Sequence, residues 1–390
     1  MSGTLRDETL IVTAGREPED NFGVVNPPVY RASTILYPSV EAFEAPRQTR
    51  GVYYGRGGVP TTFALEDAAA ALDEARGAVI TGSGKTAIAQ AMLAFLEAGD
   101  HVLMVDSAYA PTRQLCDRVL ARFGVEVTYY DPLIGAGIEA LIRPKTRIVY
   151  CESPGSLTFE VQDVPAIAEV AHARGALVFL DNTWATGLYF KPFRHGVDVA
   201  INAATKYIGG HSDLMMGIVT TTTEHYPRLR AGMADLGSYA SPDDCYQALK
   251  GLRTLAVRLE RHGRTALALA RWLQARPEVE RVLHPALPGD PGHALWQRDF
   301  LGSSGLFGIL LKPCRSEAWQ AFVEGLDLFG LGASWGGYES LVMPNQPGKF
   351  RTATPWDDGF PSIRFHAGLE HPDDLIADLE RGLARLRAAG

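Results

Sequence analysis

Lys206 stands at the close of the run Val197-Asp-Val-Ala-Ile-Asn-Ala-Ala-Thr-Lys-Tyr207, where apolar residues give way to small ones. Such a run reads as a buried strand of an α/β sheet, and ligands of open α/β sheets bind outside the carboxyl ends of the strands. A lysine delivered there is either an amine aimed into a pocket, able to form an imine with a carbonyl compound, or a strand-end cation reaching for water. Asp181 ends another apolar run, Ala176-Leu-Val-Phe-Leu180. A carboxylate in that position is costly unless a positive group such as a protonated ring nitrogen meets it; the alternative is a capping or turn aspartate. The interval between the two fits one crossover between two strand ends, so both can face one pocket.

Two further features offer complementary chemistry. Gly82-Ser-Gly-Lys-Thr86 lies between a short apolar strand and an apolar helix, where free backbone N–H groups and a positive helix end can take a phosphate; a plain tight turn is the alternative. Its Gly-Lys-Thr ending resembles a nucleotide P-loop, but that motif requires glycine where Val79 stands. In Ser362-Ile-Arg-Phe-His366, strand alternation sets Arg364 opposite Ile363 and Phe365, free to meet a substrate carboxylate or a surface acid. His211-Ser-Asp213 holds the residue types of a hydrolase triad, yet adjacent residues cannot align as base, nucleophile and orienter. The ten histidines show no metal-binding spacing, so no metal is expected.

These residues need a scaffold. Apolar runs at 77–81, 101–105, 125–130, 147–151, 176–180 and 197–203 alternate with helix-like segments, which predicts a doubly wound α/β domain with a mostly parallel sheet. Beyond Lys250 a long amphipathic stretch carries Leu252, Leu255, Leu259, Leu267 and Trp272. Strand-like runs at 279–283 and 305–311 and a closing helix follow it, so a smaller α+β domain is expected. Residues 1–58 are rich in turn formers and predict an arm that lies on another domain or subunit. The expected division is 1–58, 59–250 and 251–390.

Hydrophobic residues make up 46% of the chain and charged residues 21%, as in an ordinary soluble protein, and the net charge of -8 speaks against a nucleic-acid partner. Cys116, Cys151, Cys245 and Cys314 are widely spaced, which fits reduced thiols. Neither a signal peptide nor a membrane-length apolar run is present, so a cytoplasmic protein without a membrane partner is expected.

Several short motifs occur together in order: Tyr54-Gly-Arg56, Asp106-Ser-Ala-Tyr109, Glu152-Ser-Pro-Gly-Ser156, Asp181-Asn-Thr-Trp184, Ala203-Ala-Thr-Lys-Tyr207 with Gly210-His-Ser-Asp213, Gly251-Leu-Arg-Thr-Leu255, Ser334-Trp-Gly-Gly-Tyr-Glu-Ser340 and Ile363-Arg364. With them the chain resembles the Cys/Met-metabolism branch of the fold type I enzymes that use pyridoxal 5'-phosphate (PLP), and within that branch the bacterial β-lyases. The resemblance implies an aspartate aminotransferase-like fold. It makes Lys206 the residue that holds PLP as an imine and acts as acid and base, Asp181 the partner of the pyridinium nitrogen, and Tyr109 a catalytic residue that stacks on the ring beside the substrate. The Gly84 and Lys85 amides and the Thr205 hydroxyl would hold the phosphate, with Tyr54 and Arg56 completing that site from a neighbouring subunit. Arg364, Ser334 and Trp335 would receive the substrate.

The implied reaction is α,β-elimination of L-cystathionine, a thioether amino acid, by a homotetramer built from dimers with shared sites. Within the resemblance, Trp335 and the pair Gly155-Ser156 match the β-lyases rather than the γ-acting members and so imply β over γ chemistry. Cystathionine γ-lyase or γ-synthase activity and a broader cysteine-S-conjugate β-lyase are the alternatives within the family, and a P-loop nucleotide-binding protein is the remote one.

Overall fold

The structure, a computed structural model, describes residues 5–390. Seven strands form the larger sheet: β1 (Gly77–Thr81), β2 (His101–Val105), β3 (Glu126–Tyr130), β4 (Thr146–Glu152), β5 (Leu177–Asp181), β6 (Val199–Asn202) and β7 (Gly217–Thr221), in the order β1-β7-β6-β5-β4-β2-β3. Neighbours from β3 to β6 run parallel. The apolar strands β2, β6 and β7 are buried along their whole length, as a sheet covered by helices on both faces requires. Strand β7 is the departure from the sequence reading, which passed over it; it lies antiparallel to both β1 and β6. Its two threonines blur the apolar run, and both hydroxyls are satisfied, Thr220 by Asp73 Oδ2 at 2.6 Å and Thr221 by the Asp198 carbonyl at 2.7 Å.

The second sheet holds β8 (Val279–Leu283), β9 (Leu306–Leu311), β10 (Gly330–Leu331), β11 (Leu341–Asn345) and β12 (Ser362–His366), in the order β10-β11-β12-β9-β8. It is antiparallel apart from the short pair β10 and β11. On β12, Ile363 and Phe365 are fully buried in the apolar layer under the helices Leu255–Gln274, Ser316–Glu324 and Pro372–Ala389. Phe365 lies edge-on to Phe329 with ring centres 5.3 Å apart. Strand alternation therefore turns Arg364 to the opposite face. The amphipathic stretch past Lys250 begins in the last turn of the helix Pro242–Arg253 and continues beyond Thr254 as the helix Leu255–Gln274.

In the N-terminal segment, the helix Asp7–Thr13 is docked by the Arg253 guanidinium, which donates to the Ile11 and Ala14 carbonyls, and by Asp7 on the buried Lys191 Nζ at 2.8 Å. Beyond it Phe22, Leu36, Val40 and Phe43 stay exposed. No helix among the described residues is long and apolar enough to cross a membrane.

Candidate active site

The carboxyl ends of β4, β5 and β6 meet the N-terminus of the helix Gly84–Phe95 and a loop from the second sheet. Ser83 caps that helix by accepting the Thr86 N–H at 3.1 Å. The Gly84 and Lys85 N–H groups meet no acceptor among the described residues. A Cβ on Gly84 would come within 2.6 Å of Ala203 Cβ, so only glycine lets the helix start press against the turn that carries Lys206. Thr205 Oγ1 sits in that turn, accepting the Met216 N–H at 2.9 Å and lying 3.2 Å from the Met216 carbonyl.

Lys206 Nζ donates to Ser334 Oγ at 2.8 Å and lies 5.5 Å from the centre of the Trp335 ring. Burial, joined by the positive charge of Arg364 and opposed by Asp181, lowers its ammonium to about 8. Ser334 and Trp335 are brought there by Gly336, whose φ of +92° and close approach both exclude a side chain: a Cβ would lie 2.8 Å from the Lys206 backbone. Arg364 donates to the Ala333 and Ser334 carbonyls at 2.7 and 3.0 Å, and its remaining N–H groups find no acceptor among the described residues. Burial lowers the guanidinium to about 10.

Asp181 is deep in the cleft but keeps a small open face. Its Oδ1 accepts the Thr183 N–H at 3.0 Å and hydroxyl at 2.5 Å, while Oδ2 takes no donor among the described residues. Parallel register sets Glu152 of β4 directly beside it. Glu152 Oε2 accepts the Tyr109 N–H at 2.8 Å. Burial raises both carboxyls; the negative charge of Asp181 adds to the effect on Glu152, whereas Thr183 and Lys206 help Asp181 hold its charge. Tyr109 itself is half-exposed above these acids. Burial and the charges of Glu152 and Asp181 push its phenol up, and Arg364 draws it back.

Lys206, Asp181, Tyr109, Arg364, Ser334 and Trp335 thus share one cleft, with Gly84, Lys85 and Thr205 at its edge. Tyr54 is half-exposed and Arg56 donates to the Ala234 carbonyl at 3.2 Å; neither hydrogen-bonds the Lys206 group within the chain. Sequence reasoning gave Glu152, Thr183 and Asp106 no role. Glu152 closes an apolar run just as Asp181 does, and that signal could have paired them. The open N–H groups, the free Asp181 Oδ2 and a lysine of lowered basicity fit a phosphorylated aldehyde with a basic ring nitrogen.

Asp106, at the end of β2, is buried and gathers a different company. It accepts the N–H groups of Thr352, Ala353 and Thr354 at 2.9 to 3.1 Å, with Arg113 at 2.8 Å and Arg351 at 3.2 Å. Arg351 also reaches Glu160 at 2.8 Å. The segment between β11 and β12 is thereby tied to the loop that leads to Tyr109.

A sequence model of the family described as Cys/Met metabolism PLP-dependent enzyme matches residues 8–384. The cystathionine beta-lyase MetC of Escherichia coli (strain K12) is 44% identical over 388 residues, which cover 97% of this chain and 98% of that one. The L-alanine/L-glutamate racemase of Wolbachia pipientis wMel is 39% identical over 98% of both chains. Among solved structures, metB from Corynebacterium glutamicum superposes with a TM-score of 0.91 and 31% identity, over 98% of this chain and 99% of that one.

Proposed function

The chain belongs to the Cys/Met-metabolism family of PLP-dependent enzymes, and from that premise we propose that it is a carbon–sulfur lyase converting L-cystathionine and one water to homocysteine, pyruvate and ammonia. The observation that carries this reading is Lys206: a lysine of lowered basicity between Ser334 Oγ and the Trp335 face, sharing one cleft with the open Asp181 Oδ2 and the free N–H groups of Arg364. When bound, PLP supplies a sink for the electron pair left at the substrate's Cα.

The protein's own groups do the rest. Gly84 and Lys85 offer their N–H groups and the positive helix end to the phosphate, joined by the Thr205 hydroxyl. Asp181, with its Oδ2 free, would keep a proton on the ring nitrogen. Tyr109, half-exposed beside Asp181 and Arg364, would cover the cofactor ring and bound the substrate pocket. Arg364 takes the substrate's α-carboxylate, leaving Lys206 Nζ to remove the Cα proton, with Ser334 holding the amine in line. Trp335 walls the cleft beside the Lys206 amine. Tyr54 and Arg56, from a second copy of the chain, complete the phosphate site, which gives the exposed apolar side chains of residues 1–58 a surface to cover. A homotetramer, the division at 58 and 250, and a cytoplasmic location belong to the same proposal.

The racemase among the relatives supports a second reading, since removal and return of a Cα proton needs the same lysine but no leaving group. Product analysis separates these readings. With L-cystathionine the expected products are pyruvate, measured by coupled lactate dehydrogenase, and one free thiol per turnover. Release of 2-oxobutyrate instead would indicate γ chemistry, and D-alanine from L-alanine without pyruvate would indicate racemisation. Lys206→Ala should lower turnover by at least about a thousandfold, roughly 4 kcal/mol in the barrier; wild-type turnover in that variant would remove Lys206 from the mechanism.

A further inference from the structure

We infer that His366 is a positioning residue: through the Gly336 N–H its neutral imidazole holds the loop that sets Ser334 and Trp335 on Lys206. His366 Nε2 accepts the Gly336 N–H at 3.1 Å, and Nδ1 lies 3.1 Å from the Glu339 carbonyl, to which it can only donate. These two bonds fix the tautomer, with the proton on Nδ1 and a lone pair on Nε2. The ring is fully buried on β12, two residues past Arg364 and on the same strand face. Tyr207 and His262 flank it, with ring centres 5.8 and 5.2 Å away. Burial and the neighbouring His262 drive its basicity well down, in keeping with an imidazole used as an acceptor.

Gly336 is the point where this bond matters. Its backbone rests on Lys206 so closely that no Cβ fits, and the two residues before it supply the hydroxyl and the ring that touch the Lys206 amine. Without the imidazole, the Gly336 N–H loses its acceptor in a dry interior and the loop is free to slide along Lys206. One β-strand then holds the loop at two points from a single face: Arg364 by donating to the Ala333 and Ser334 carbonyls, and His366 by accepting the Gly336 N–H. This inference rests on the reading of Lys206 and Ser334 given above.

The test compares His366→Gln, His366→Asn and His366→Phe as PLP-loaded full chains. Glutamine brings Oε1 to the Nε2 position and can accept the Gly336 N–H; asparagine can donate to the Glu339 carbonyl but stops short of Gly336; phenylalanine does neither. The glutamine variant should keep kcat/KM within about threefold of wild type, whereas asparagine and phenylalanine should lose at least about tenfold. The near-ultraviolet circular dichroism of the bound cofactor should survive in glutamine alone. Hydrogen exchange of the peptide spanning Ser334 to Ser340 should be faster in asparagine than in wild type by about the same factor. Asparagine equal to or better than glutamine, phenylalanine equal to wild type, or unchanged exchange in asparagine overturns the inference. If cystathionine is not the substrate, the wild type has no kcat/KM either, yet dichroism and exchange still read the role of His366.

Discussion

Asp106 and Asp181 both close parallel strands of the same sheet, two strands apart, and the fold treats them in opposite ways. Burial alone would push either carboxyl up. Around Asp106 the N–H groups of Thr352, Thr354 and Ala353 and the Arg113 guanidinium override that cost and bring it below the usual range. Around Asp181 only Thr183 and the more distant Lys206 answer, and its carboxyl stays raised. One acid is saturated by its own chain and has nothing left to offer a ligand. The other is left short by one oxygen, which a cationic ring nitrogen would satisfy. The degree to which a strand-end carboxylate is already spoken for by the protein thus separates the joint from the tool.

Replacement of each acid by its amide should split activity from stability. For Asp181→Asn the largest effect is on turnover: kcat/KM on cystathionine should fall by at least about a thousandfold, roughly 4 kcal/mol. In the cofactor-free chain its unfolding midpoint in urea should hold or rise at neutral pH. The sign follows from linkage: a raised carboxyl favours the folded state at low pH and loses that contribution as pH climbs through its folded value, so the amide avoids a cost there. Activity within tenfold of wild type would erase the contrast.

Asp106→Asn should do the reverse. It puts an amide among N–H donors and leaves Arg113 and Arg351 short of charge, so urea unfolding should register a loss of about 3 kcal/mol, within the range for breaking a buried ion pair. Here the wild-type contribution is present above the ordinary carboxylate range and vanishes as pH falls through the depressed value. The difference between wild type and variant should therefore shrink in acid, and a constant difference from neutral pH to pH 3 would count against the assignment. The smallest effect is expected for Thr183→Val, which removes a hydroxyl that helps Asp181 hold its charge. The acid limb of kcat/KM should move to higher pH by less than about one unit; a downward shift would mean that Thr183 acts elsewhere.

The sequence reading reached the parts of this contrast that lie along one chain segment. Asp181 and Lys206 were legible because an apolar run that stops at a charged residue needs no partner to be noticed. Arg364 was legible because strand alternation decides its face locally, and the burial of Ile363 and Phe365 agrees with it. Glu152 ends an apolar run in the same way and could have been noticed, but its place beside Asp181 was not legible, because parallel register between β4 and β5 is a property of two segments joined by a helix. The ring of donors around Asp106 was still further from view. Thr352, Ala353 and Thr354 have no periodicity, and their chemistry lies in backbone N–H groups that any residue but proline would supply. Strand β7 was missed for a compositional reason, its threonines finding buried partners that sequence alone does not reveal.

The span of the Asp106 knot also sets a timetable for synthesis. The carboxylate and the Thr352 N–H are separated by 246 positions, so at ordinary elongation rates the acid emerges about 10 to 50 s before its last partners exist. During that wait Arg113, seven positions downstream, is the counterion already at hand. The nascent chain can therefore shelter the charge locally while the large sheet forms, and then add the remaining donors to that ion pair when residues 352–354 arrive near the end of synthesis.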